Sequence, residues 1–399
     1  MSDYTVRTLR PEETRAASLV FRGAMHLPPI KDEDWAVAQR LYQPERTFGV
    51  FDTELIGTAR SFDAEFVVPG GRRVPLGAVT AVGVRSDRVR RGVLSRLMRA
   101  QLTDLADRGT TLAGLYASEA VIYGRFGYGP ATTEQSFEVD RRRAVLRAEV
   151  PAGGELELVG PDAFAERMPQ VYAAIAPSRP GMMTRPSHWW PLAELHRRWT
   201  ENPVVMVVHH GPSGPDGYVI YQVDRKHWNQ PSTLEVLELV TASDAACGGL
   251  WRYLLGVDLV DTIKLPGRPL DEFAPLLFTD PRRCARTEGG DGLWLRLVDV
   301  PAALAARTYE GEPVVVEVAD PVLEDNSGRY RISPGGVERT DRPAELRLDV
   351  DALAMLYLGA WRASALATAG RVRAADESAL TRADRLFATE TPAWCGTHF

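Results

Sequence analysis

The sequence predicts an α/β fold spread over more than one domain. Three observations carry this. Strand and helix patterns alternate through the first third, Arg91–Gly109 has the periodicity of an amphipathic helix, and glycine- and proline-rich breaks fall near 150–162 and 288–292. The chain has 399 residues, room for two or three domains at about 150 residues each. Hydrophobic residues make up 45% and charged residues 25%, a globular balance that excludes disordered and fibrous classes.

The elements follow in order. Tyr4–Arg10 alternates polar and apolar residues, as a half-buried strand does, and Pro11 with Glu12 and Glu13 opens a helix through Ala16–Phe21. Thr47–Phe51 and Glu54–Phe62 flank the turn pair Asp52–Thr53, a hairpin pattern. Leu76–Val84 is a nearly uncharged run suited to a buried strand. In the next helix Val93, Leu94, Leu97, Met98, Leu102, Leu105 and Ala106 share one face, Arg96, Arg99, Thr103 and Arg108 the other, and Gly109 stops it. Leu112–Ala117 reads as a strand. Further on, Val204–His209, Tyr218–Val223, Leu234–Val240, Pro313–Val318 and Arg329–Ile332 read as strands, and Ala245–Leu255, Asp349–Leu358 and Ala375–Phe387 as helices. Val150–Asp162 and Glu288–Gly292 read as loops, which gives domains 1–148, 149–298 and 299–399.

Charge and cysteine usage narrow the function. Lys and Arg number 47 against 53 Asp and Glu, a net charge of −6, which argues against a nucleic-acid partner and leaves room for a local acidic pocket. No apolar run reaches the roughly 18 residues of a membrane span, and Met1–Arg10 lacks a basic-then-apolar leader, so a cytoplasmic protein is expected. Cys247, Cys284 and Cys395 are scattered, and His188, His209 and His210 lack ligand spacing, so no metal site is expected.

Three constellations suit chemistry. Arg90–Arg91–Gly92 stands where the buried strand meets the amphipathic helix. Free N–H groups at a helix start, a glycine and two guanidinium groups make a pyrophosphate cradle. The same residues also suit a solvated basic loop. Tyr123–Gly129 packs three glycines and three aromatics after Ser118–Glu119, a tight turn in which a tyrosine could serve as a general acid. The end, Trp394–Phe399, is too apolar to fray, and burying it brings an α-carboxylate inside. Trp189–Trp190 and Trp199 read as core or interface.

Read together, AVTAVGVRSDRVRRGVLSRLMRAQL from Ala78, ASEAVIYGRFGYGPATTEQ from Ala117 and the terminal WCGTHF resemble the GCN5-related N-acetyltransferase (GNAT) superfamily. The similarity is closer to its Eis (enhanced intracellular survival) branch. The resemblance implies tandem GNAT domains, the second degenerate, then a sterol-carrier-like domain whose C-terminus reaches the active site. It implies acetyl transfer from acetyl-CoA to primary amines of polycationic molecules such as aminoglycosides, at one or several positions, by a homohexamer. Carried over by motif, Val82, Gly83 and Val84 match the strand facing pantetheine and acetyl group. Arg90, Arg91, Gly92, Val93, Leu94 and Ser95 match the pyrophosphate loop, and Ser118 and Glu119 a further cofactor-binding pair. Tyr123 matches the general acid, and Phe399 the residue whose α-carboxylate is the general base.

One departure stands out. The superfamily pattern Arg/Gln-x-x-Gly-x-Gly/Ala has Val89 at its first position here and Leu94 at its last, the latter usual for this branch. Trp35, with Asp32 and Asp34 nearby, is a candidate for the substrate pocket. A protein lysine acetyltransferase would need the same cofactor chemistry. A non-catalytic acetyl-CoA- or lipid-binding protein would have no use for Tyr123 and the Phe399 ending.

Overall fold

The computed structural model describes residues 4–175, 179–225 and 230–399. Two compact units form, one from Met1–Thr132, Ser178–Leu192 and Asp291–Phe399, the other from Thr133–Pro177 and Ala193–Gly290. The chain first lays down β1 (Thr5–Thr8), α1 (Thr14–Ala24), α2 (Asp32–Ala38), β2 (Thr47–Phe51), β3 (Leu55–Val67) and β4 (Arg73–Val84). Then come α3 (Val93–Asp107), β5 (Leu112–Tyr116), α4 (Ala120–Tyr123) and β6 (Gly129–Pro130). The following stretch contains β7 (Thr133–Asp140), β8 (Glu155–Val159), α5 (Phe164–Ile175), α6 (Trp190–Trp199), β9 (Val204–Gly211), β10 (Gly214–Asp224), β11 (Thr233–Thr241), α7 (Asp244–Gly256), β12 (Thr262–Arg268) and β13 (Cys284–Asp291). The last part runs through β14 (Leu293–Leu297), α8 (Val300–Ala306), β15 (Val314–Ala319), β16 (Gly328–Ser333), β17 (Gly336–Arg339), β18 (Leu346–Asp349), α9 (Val350–Tyr357), α10 (Ala363–Thr368), β19 (Val372–Ala374) and α11 (Glu377–Leu386).

Three sheets result, ordered β1-β2-β3-β4-β5-β14-β6, β13-β7-β12-β11-β10-β9-β8 and β17-β16-β15-β18-β19. The first two exchange strands. β14 returns from beyond the second sheet to pair with β5 and β6, while β7 leaves the N-terminal region to pair with β12. The linear division near 148 and 298 takes no account of this exchange. The readings of 150–162 and 288–292 as loops are corrected: β8 and the end of β13 occupy them. Both are edge strands whose residues are mostly exposed, so the apolar alternation that marks a strand is missing there. No helix among the described residues is long and apolar enough to cross a membrane.

The first sheet is built around α3. Gly92 adopts φ +78, the left-handed conformation glycine tolerates, and turns the chain into the helix. Leu97, Met98, Leu102 and Leu105 are then fully buried. They pack in two clusters, one with Val79, Ala113 and Leu115 and one with Val50, Ile56 and Ala59. Each such side chain stabilises the fold by about 1.5–3 kcal/mol. In the same unit the third sheet carries α9, from Val350 to Tyr357, apolar on every side but for Asp351. It packs on β14, β6, β15 and β18, and burial all round explains why no polar face appears in its sequence.

The turn after α4 is locked by this packing. Gly127 has φ +83, and a Cβ there would lie 2.6 Å from both Arg296 Nε and Val350 Cγ1. Gly127→Ala therefore combines left-handed strain with overpacking. It is expected to cost about 2–4 kcal/mol, read as a lowered thermal midpoint. An unchanged midpoint would show that the turn is not locked.

Candidate active site

The site grows from an irregularity in β4. Arg60 of β3 pairs with Thr80 and Thr58 with Gly83, so two residues of β4 oppose one of β3. Ala81 sits in this bulge at φ +52, a conformation rare for a side chain with Cβ. Beyond it β4 diverges from β5: their parallel ladder covers only Leu76–Ala78 against Leu112–Gly114. Val82–Val84 thus flank an opening between two strand ends. The two faces of this segment differ. A Cβ on Gly83 would meet Phe21 Cα of α1 at 2.9 Å, whereas Val82 packs with the clusters beneath α3.

The strand continues into an anion-ready loop. Arg85 pairs with Glu54 and Asp87, and Arg88 with Asp87 at 2.8 Å and Asp52 at 3.9 Å, so these two guanidinium groups are already neutralised. Arg90 and Arg91 are exposed and have no ion pair among the described residues. Arg90 has φ +62. Val93, Leu94 and Ser95 open α3, where N–H groups lack intrahelical acceptors and the dipole end is positive. Open space lies where a Cβ of Gly92 would be. Paired donors, two uncompensated cations and clear access fit a pyrophosphate.

Tyr123 ends α4 and is 6% exposed, in one apolar cluster with Val82, Leu94 and Ala117. The structure therefore brings the strand, loop and tyrosine predictions together. Burial pushes the Tyr123 phenol up from its usual range, a hydrogen bond with Ser118 lowers it in part, and the nearby Glu119 carboxylate raises it. The group keeps its proton at neutral pH, the state an acid catalyst needs. Ser118 and Glu119 are themselves exposed at the mouth of this turn.

The chain end is held by side chains of β3, of β5 and of the 185–189 segment. Tyr116 Oη donates to the Thr397 carbonyl at 3.1 Å, and its ring lies 4.5 Å from His398 and 5.5 Å from Phe399. Phe62 meets the Phe399 ring edge-on at 5.6 Å. Arg185 donates from Nε to Thr397 Oγ1 and from Nη2 to the Gly396 carbonyl, with Trp189 stacked 4.3 Å from its guanidinium. Trp189 Nε1 donates to the His398 carbonyl at 2.9 Å. Cys395 is fully buried. The tail is thus anchored up to its last residue. Arg185, Tyr116 and the bulge at Ala81 escaped the sequence reading. For Trp189–Trp190 the only signal was an unexplained aromatic pair.

His209, Cys247 and Cys284 are structural. His209 Nδ1 lies 2.6 Å from Asp216, and its Nε2 accepts the Gly154 N–H at 2.7 Å, so both ring nitrogens are engaged and neither can act as a base. Burial pushes the Cys247 and Cys284 thiols up to about 12, which leaves them inert. No group of three or more His, Cys, Asp or Glu clusters for a metal among the described residues. Trp35 packs 6.1 Å from Tyr42, while Asp32 is exposed and paired with Arg15. The neighbours of the Phe399 ring are aromatic.

Comparison with known proteins assigns each part of the chain to a domain family. Residues 5–131 and 181–297 each match an acetyltransferase (GNAT) domain, and residues 300–396 a sterol carrier protein domain. The chain is 39% identical over 385 residues to an uncharacterised N-acetyltransferase of Streptomyces coelicolor, 92% of each chain. It is 40% identical over 354 residues to the N-acetyltransferase Eis of Mycobacterium tuberculosis, 85% of each. The crystal structure of Eis1 from Mycobacterium abscessus superposes with a TM-score of 0.91 at 41% identity, covering 99% of this chain and 100% of that one. A GCN5-related N-acetyltransferase from Anabaena variabilis, at 21% identity and TM-score 0.86, shares the fold.

Proposed function

Because the chain belongs to the Eis-like N-acetyltransferases of the GCN5-related superfamily, we propose that it acetylates primary amines of polycationic small molecules, aminoglycosides among them, by direct transfer. The observation that carries this is the convergence of the β4 bulge, the Arg90–Ser95 loop and the buried Tyr123 at one end of the first sheet. When bound, acetyl-CoA supplies the acetyl group as a thioester. Arg90, Arg91 and the N–H groups of Gly92, Val93, Leu94 and Ser95 would hold its pyrophosphate. Val82 and Gly83 would line its pantetheine arm, and Ser118 and Glu119 would add further contacts.

Each remaining role falls to a group of this chain. The Val84 N–H donates toward the carbonyl oxygen as negative charge develops there. The tail and β4 hold the amine and the acyl carbon in line, so proximity supplies much of the rate. Tyr123 keeps a proton on its phenol oxygen for the departing thiolate. The α-carboxylate of Phe399 faces a harder task, since its ordinary pKa of about 3.5 lies far below that of an alkylammonium. It attracts and orients the ammonium and relays the proton through water, or takes it directly once desolvated. A homohexamer completes the proposal, on the family resemblance alone.

Thiol release from acetyl-CoA tests the reading. An aminoglycoside is expected to give sustained release and a lysine peptide none. Release with the peptide alone would turn the proposal toward a protein acetyltransferase. No release with any amine, polyamines included, would overturn it in favour of a binding protein.

A further inference from the structure

Arg296 and Asp320 have side chains with no solvent exposure at all. Arg296 lies on β14, the strand that returns to the first sheet, and Asp320 follows β15 of the sterol-carrier-like sheet. The Arg296 Nη2 donates to both carboxylate oxygens, at 2.7 and 2.6 Å. Its Nη1 donates to the Leu297 carbonyl at 2.8 Å, and its Nε donates to the Phe126 carbonyl at 2.9 Å. Asp320 in turn accepts the N–H groups of Val322 and Leu323 and the side-chain amide of Asn326. With its acceptors filled the carboxylate cannot swing away, so the guanidinium has one orientation.

That orientation fixes the turn that carries Tyr123. Phe126 lies three residues beyond Tyr123, the Gly127 N–H donates to the Gly124 carbonyl at 2.9 Å, and the Tyr128 N–H to the Tyr123 carbonyl at 3.3 Å. The Tyr128 ring stands edge-on to Tyr123 at 6.2 Å. Stability alone does not require such a pair, because apolar residues of similar volume often serve a core as well or better. What they cannot do is place a donor under the Phe126 carbonyl. We infer that Arg296, oriented by Asp320, is a positioning residue that sets where the Tyr123 phenol stands in the active site. The inference rests on Tyr123 being the general acid.

The test compares Arg296→Gln, Asp320→Asn and the apolar double variant Arg296→Met/Asp320→Leu with the unaltered chain and Tyr123→Phe. The double variant leaves no orphaned charge and stands in should the single variants fail to fold. The groups that bear on the Tyr123 proton are Ser118 and Glu119, with the Tyr128 ring packed against it, so the kcat–pH profile is read on its basic limb. In each folded variant kcat is expected to fall about a hundredfold. The KM for acetyl-CoA is expected to stay in place, and the basic limb to move to lower pH as water reaches the phenol. Native kcat in the folded double variant overturns the proposal. So does a fall in kcat matched by a rise in KM with the limb unmoved, the signature of general loosening. Native kcat in Tyr123→Phe instead overturns the acid role and this inference with it.

Discussion

Tyr123→Phe lowers kcat about 10²–10⁴-fold and leaves the KM for acetyl-CoA unchanged. Phenylalanine fills the same volume in the cluster of Val79, Met98, Leu102 and Phe126, so the packing that shapes the site survives. Only the phenolic hydroxyl, with its proton and its hydrogen bond to Ser118, is lost. The pH profile carries the same information. Burial holds the phenol above the ordinary tyrosine value of about 10, so the acid form persists through neutral pH. Activity in the unaltered chain should fall only above that value, and this basic limb should vanish in the variant. Steady-state kinetics at saturating amine check both. A KM that rises while kcat holds would make Tyr123 a binding residue.

A short, ordered extension after Phe399 lowers kcat about a hundredfold or more, because it replaces a carboxylate with a neutral amide. The anchors make this a test of chemistry rather than of folding. Tyr116, Arg185 and Trp189 hold residues 396–398 by their carbonyls and by Thr397 Oγ1, groups an extension leaves untouched. The thermal midpoint should therefore stay put while turnover is lost. Unchanged kcat with an extension would remove the carboxylate from the mechanism.

Much of the fold was legible where burial is one-sided. The helix from Val93 shows a clean apolar stripe because one face meets the sheet and the other meets water. The end Trp394–Phe399 reads as buried because no solvated tail needs Trp, Cys and Phe; Trp394, Cys395 and Thr397 are buried, whereas His398 is exposed and Phe399 only half-buried. The edge strands Glu155–Val159 and Cys284–Asp291 were hidden because exposed residues leave no pattern. The strand exchange was hidden for a different reason. The 133–140 and 293–297 segments each look like strands wherever they pair, and pairing across more than a hundred residues has no local signature.

The site divides along the same line. Arg90–Ser95 and Tyr123 sit in short contiguous motifs that specify their own backbone, and the structure gathers them at one end of a sheet. Arg185 and Arg296 reach the site through partners far along the chain, Gly396 and Phe126, so each looks in sequence like any surface charge. Aromatic neighbours of the Phe399 ring were equally unreadable, since Phe62 and Tyr116 sit in ordinary apolar strands.

The central claim is that one site carries acetyl from the thioester to the amine, with Tyr123 supplying the proton to sulfur. The most direct measurement counts free CoA thiol and acetylated aminoglycoside together, in the unaltered chain and in Tyr123→Phe. The account predicts equal amounts of the two products in the unaltered chain, and both falling together in the variant. Thiol released without matching acetyl-amine, or equal turnover in both proteins, would contradict it.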